Sequence, residues 1–204
     1  MVGAALDSVP EIPSDVEALL SRHGGFVLCD AKVCPKVNGL PIRYASQQFQ
    51  DMLGYKDASE CVGQAWSDVL TGPSGFCTNA AQAAQLPSYA VTEAVELLSK
   101  QCKETVKKLA NATPSSASML ALARRSCGEL FACELTLSVR QHPSMGWNYV
   151  VGLHRDITQK VPVARLLTIA AKLSSQGAST EELAAAVGVD LGSERTERNS
   201  GVLN

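Results

Sequence analysis

Apolar spacing along the chain alternates between helical and extended periods, and the changes mark out its elements. Ser14-Asp15-Val16-Glu17 has the form of a capping box, with Val16, Leu19 and Leu20 following at helical spacing and Gly24-Gly25 as a stop. A short helix is therefore predicted over residues 14–23. It feeds a compact apolar run, Phe26-Val27-Leu28-Cys29-Asp30, of strand type. Asn38-Gly39 signals a turn, and Ile42-Arg43-Tyr44-Ala45 reads as a second strand, giving a hairpin with a widened loop. Phe49, Met52 and Leu53 then suggest helical turns between Ser46 and Gly54, and further short turns are expected over residues 57–71.

Val91, Val95, Leu98, Cys102, Val106 and Leu109 recur at intervals of three and four and predict the longest helix. Its glutamates lead and its lysines follow, which suits the helix dipole, so the charges read as a solvated face. Residues 111–118 read as a Pro/Ser/Thr loop. Three strand-like stretches come next, over residues 119–125, 130–140 and 147–155. Alternation is clearest in the second, where Phe131, Cys133, Leu135, Leu137 and Val139 share a face. Cys127-Gly128 and the segment from His142 to Gly146 provide the turns of an antiparallel meander, which the early hairpin extends to a five-stranded sheet. Val163, Leu166, Leu167, Ala170 and Leu173 restore the helical period, and Ser179-Thr180-Glu181-Glu182 caps one more helix before a frayed tail at 190–204.

With 204 residues and 46% apolar composition, the chain suits one domain with extensions. A net charge of −2 gives no basic footprint for nucleic acid. No apolar run approaches about eighteen residues, and the first ten lack a signal-peptide layout, so neither membrane insertion nor secretion is expected and the cytoplasm is the expected site. Seven cysteines without a CxxC pair read as buried or free thiols in a reducing compartment. Scattered histidines argue against a metal site. The absence of GxSxG, P-loop, HExxH and dinucleotide motifs points away from an enzyme.

Several short motifs carry a resemblance. Ile42-Arg43-Tyr44-Ala45-Ser46-Gln47-Gln48-Phe49, followed by Leu53-Gly54-Tyr55, resembles the "I-x-Y-A-S-x-x-F…x-G-Y" stretch of PAS domains in the flavin-binding LOV subfamily. Gly63 and Leu70-Thr71-Gly72-Pro73 resemble the ends of "G-x-N-C-R-F-L-Q-G-P". Gly128 with Phe131 looks like the "G-x-x-F" turn, and Gly152-Leu153-His154-Arg155-Asp156-Ile157-Thr158 like the closing "G-x-x-x-D-I/V-T". The resemblance implies an α+β PAS fold: a five-stranded antiparallel sheet with short helices on one face and flanking N- and C-terminal helices. It places a cap helix and tail at 1–24, the PAS/LOV-like domain at 25–160, and a helical extension with tail at 161–204.

The functional positions of LOV domains do not carry over. The photoactive cysteine falls at Trp66 or Ser67, the flavin-holding asparagines fall near Ala123 and at Cys133, and the glutamine of the last strand falls at His154. Trp66, Ser67, Cys133 and His154 are thus the candidate ligand-pocket residues, with FMN the ligand the resemblance would imply and no cofactor the reading the substitutions favour. Asp156 is expected to cap the following helix. Val163, Leu166, Leu167, Ala170 and Leu173 form a stripe that needs a surface: a protein partner, a second copy, or the chain's own sheet. Two functions follow, a non-catalytic signalling module acting through protein–protein interaction, or a sensor that binds a small molecule or responds to redox state.

Overall fold

The computed structural model describes residues 24–32, 34, 39–71, 85–110, 115–141 and 148–191. The helix expected at 14–23 lies outside them, as do residues 192–204 of the expected tail.

The hairpin forms from β1 (Gly25–Asp30) and β2 (Ile42–Ala45), with a register shift between Leu28 and Cys29. Ser46 then caps α1 (Gln47–Leu53): its hydroxyl accepts from the Phe49 amide, and Gly54 closes the helix in the left-handed region at φ 74°. A 3₁₀ turn (Ala58–Glu60), closed by an Asp57/Glu60 capping box, leads to α2 (Trp66–Thr71). The long helix α3 (Ser88–Ala110) precedes β3 (Ser115–Arg124), β4 (Leu130–Gln141) and β5 (Asn148–Asp156), and α4 (Val163–Ser174) and α5 (Thr180–Val187) follow.

All five strands pair antiparallel in the order β2-β1-β5-β4-β3, with α1 and α2 inserted between β2 and β3. This is the PAS fold. Among the described residues no helix is long and apolar enough to cross a membrane.

Period two divides β4 between two cores. Phe131, Cys133, Leu135, Leu137 and Val139 point to the inner face, where they meet Phe49 and Leu53 of α1, Trp66, Val69 and Leu70 of α2, and Met119, Ala121 and Ala123 of β3. Leu130 and Ala132 point outward and pack with α3 and α4.

Three expectations change. β3 begins at Ser115, so half of the expected loop at 111–118 is strand, paired from Ser115↔Val139 onward. On α3 the buried positions are Val91, Ala94, Leu97, Leu98 and Gln101, while Val95 and Cys102 are only half-buried. Gln101 is tolerated there because its Nε2 donates to the Ala178 carbonyl at 2.8 Å. Finally, α4 starts behind Pro162, and Asp156 accepts instead from the Thr158 amide at 2.9 Å, capping the intervening turn.

Candidate functional site

The inner face gathers around His154. Its strand position on β5 opposes Leu135 of β4 and Gly25 of β1, and its side chain is fully buried. Gly152 makes room for the ring, and Gly25 for the helix that covers it. A Cβ on Gly152 would stand 3.1 Å from the imidazole Cε1, and one on Gly25 would stand 2.5 Å from the Cα of Phe49. The Phe49 ring meets the imidazole edge-on, with centroids 4.8 Å apart.

Trp66 closes the arrangement. The segment before it is fastened along β2, with the Gly63 amide donating to Ile42, Ile42 to the Gln64 carbonyl, and the Trp66 amide to Leu40. This sets the first residue of α2 against the sheet, 3% exposed. Its indole Nε1–H donates to Nε2 of His154 at 2.9 Å. Indole can only donate, so Nε2 holds a lone pair and the imidazole proton sits on Nδ1. Among the described residues Nδ1 makes no well-formed hydrogen bond. Burial pushes the His154 pKa down to about 3, against a weaker upward pull from the backbone at Gly152 and Gly25, so the ring is neutral at ordinary pH.

Of the residues singled out in the sequence, Trp66 and His154 are in direct contact. Cys133 shares their face on β4, and burial raises its thiol pKa to about 12. Ser67 is corrected. It is exposed, its hydroxyl 3.4 Å from Asp68 Oδ1, because one helical step from a buried residue turns a side chain toward solvent. Ala123, at the other family position, is buried on the same inner face. Phe49 and Gly152 complete the site without having been foreseen; glycine inside a strand pattern two residues before His154 was the available signal.

The thiols divide by depth. Burial pushes Cys29 well above the usual thiol range, with Asp30 and Cys61 adding to it, and burial with Glu60 pushes Cys61 up to about 11. Cys127 is exposed in the β3–β4 turn. Among the described residues no group of three or more His, Cys, Asp or Glu is placed to hold a metal ion.

The C-terminal stripe is also relocated. Leu166, Leu167 and Ala170 are fully buried against α3 and the outer sheet face, with Val163 and Leu173 half-buried beside them. In this structure the stripe packs on the chain itself, the intramolecular option.

A polar clamp ties the far end of the meander to α1. Arg125 donates to the Met52 carbonyl and to Asp156, and stacks 4.7 Å over the Phe131 ring. Burial alone would raise the Asp156 carboxyl, but the bonds from Thr158 and Arg125 outweigh it and hold the pKa below the usual range.

No protein-family model and no curated protein matches the chain. Solved structures similar to it include a fungal LOV domain photoreceptor, at 18% identity and TM-score 0.47 over 72% of this chain and 92% of that one. The LOV domain of a blue-light activated histidine kinase from Erythrobacter litoralis shows 16% identity and TM-score 0.43 over 66% and 95%. The PAS domain of the fruit-fly ELK potassium channel shows 20% identity and TM-score 0.44 over 70% and 97%. Likenesses this distant leave function to the residues of this chain.

Proposed function

We propose that this chain is a PAS-type signalling module that acts by binding protein, a partner or a second copy, without catalysing a reaction and without flavin. The observation that carries the reading is the Trp66–His154 hydrogen bond. At one of the two positions where the LOV resemblance places its thiol, and at the position of its ring-reading amide, the chain has side chains bonded to each other. Cys133 and Ala123, at the remaining family positions, offer a planar heterocycle one weak donor and none. These residues do not fit FMN. The free thiols at Cys29, Cys61 and Cys133 suit a reducing, intracellular setting.

A second reading, small-molecule sensing, is favoured by one feature: the fully buried Nδ1–H of His154 makes no well-formed hydrogen bond among the described residues, with the backbone at Gly152 and Gly25 nearby. The two separate on purified protein. The first predicts a colourless chain and no visible change on adding FMN and illuminating with blue light, because neither indole nor the Ser67 hydroxyl is a thiolate. It also predicts a defined complex or oligomer by light scattering. A co-purifying chromophore, or a reversible bleach with slow dark recovery, would overturn it.

A further inference from the structure

The two edges of the sheet differ. At β2 the edge is closed by the segment that leads to α2: the Ile42 amide donates to the Gln64 carbonyl, and the Ile42 carbonyl accepts from the Gly63 amide. At the other end of the strand order lies β3, ten residues long, and among the described residues its outer edge makes no backbone hydrogen bond. From Ser115 to Ala123 it carries neither a charge nor a proline, the devices that keep an edge strand from pairing. A groove of about 730 Å³ runs beside the first half of this strand, between it and α5. Ser116, Ala117 and Ser118 all line it, although successive residues of a strand point to opposite faces, and among the described residues none from β4 does. The groove therefore follows the edge of the strand and not the face of the sheet. Ala184, Val189 and Leu191 give it an apolar wall, and the charged residues described along it, Glu181 and Asp190, are both acidic.

We propose that this edge is a docking site for an extended cationic peptide of a partner protein, which adds to β3 along Ser116–Ser118 and reaches Glu181 and Asp190 with lysine or arginine. The proposal rests on the protein-binding reading above and deepens it. Backbone chemistry selects an extended occupant: a bare edge offers amides and carbonyls at strand spacing, and another strand satisfies both. Ser116, Ala117 and Ser118 are small, so no bulky side chain screens that backbone from an incoming strand. An added strand sits about 4.8 Å from its neighbour, and the groove supplies the room for it. Side chains on its α5 side meet Ala184 and Val189, so apolar residues fit at alternate positions. Charge then selects among extended peptides. Two carboxylates along the groove attract a basic strand and repel an acidic one.

The test uses the full-length chain and a peptide as long as β3, ten residues, that alternates valine with lysine. Its counterpart alternates valine with glutamate. Adding the lysine peptide should slow amide hydrogen exchange within Ser116–Ser118, read by NMR, with saturable binding by fluorescence anisotropy that weakens as salt rises. The glutamate peptide should bind several-fold more weakly. Glu181→Lys should reverse that preference, which a purely structural role for Glu181 would not do. N-methylation of every valine, or of every lysine, should abolish binding in one of the two cases only, because alternate residues of a strand turn their amides to opposite sides. Equal affinity for the two charges, or unchanged exchange along Ser116–Ser118, overturns the proposal. So does protection of those amides before any peptide is added: persistent on dilution, it means the chain covers its own edge; lost on dilution, it means a second copy does. None of these results bears on the FMN and illumination tests of the protein-binding reading, so the two fail separately.

Discussion

The two faces of the sheet are closed in different ways. The inner face is sealed by α1 and α2, which follow β2 directly, and its apolar packing contains one buried polar pair, Trp66 with His154. The outer face beneath α3 and α4 is closed by elements drawn from distant parts of the chain, around an apolar cluster of Leu120, Leu122, Leu130 and Ala132 with Leu166 and Leu167. The difference teaches where specificity resides. An apolar interface fixes depth and volume, whereas the donor–acceptor pair fixes one tautomer and one indole orientation. Substitutions on the outer face should therefore change stability, and those on the inner face should also change pH response.

The largest effect is expected at α4. Leu166→Glu with Leu167→Glu removes roughly 3–6 kcal/mol of burial at two fully buried sites and adds two unpaired charges to an apolar layer. Against a typical domain stability of about 5–15 kcal/mol, thermal denaturation should find the chain unfolded. A folded variant that merely loses self-association would instead return α4 to the role of an interface. On the inner face, Phe49→Ala should cost about 3–5 kcal/mol by urea denaturation, through the cavity and the lost edge contact with His154.

The pH response sharpens the contrast. His154 stays neutral in the fold down to about 3, whereas in the unfolded chain it takes a proton below its ordinary 6.5. The unfolded state thus binds more protons in that window, and stability falls with acidity by up to about 1.4 kcal/mol per pH unit. Between pH 6.5 and pH 5 this amounts to roughly 1.5 kcal/mol. His154→Gln keeps an acceptor for the indole and should remove that component of the slope in denaturation curves; an unchanged slope would place the titrating group elsewhere. Trp66→Phe should cost about 1–3 kcal/mol by leaving Nε2 without its donor. At the small end, Lys100→Ala on α3 breaks an exposed 4.0 Å pair with Glu104 and should move stability by less than about 0.5 kcal/mol.

Strand order was legible because β4 alternates cleanly and the turns around it are short. The first half of β3 was hidden by composition: Ser115, Ser116 and Ser118 read as loop, yet Thr136, Leu137 and Val139 on β4 continue the ladder beside them. The buried stripe of α3 was misplaced by a residue because Ala94 and Gln101 carry little hydrophobic signal, and Gln101 is held there by a carbonyl 77 positions away. At the site, family register brought Trp66 and His154 forward together, but nothing in the sequence shows that they bond to each other across 88 residues. Such a contact belongs to the tertiary fold, as does the closeness of Phe49.

The central claim is that the inner face is closed by Trp66 bonded to His154 and holds no flavin. Its most direct test is the indole Nε1–H resonance of Trp66, assigned by comparison with Trp66→Phe and followed by NMR during an FMN titration. The account predicts one slowly exchanging signal, shifted by its hydrogen bond and unmoved by FMN. A saturable shift or loss of that signal as the protein becomes yellow would contradict it.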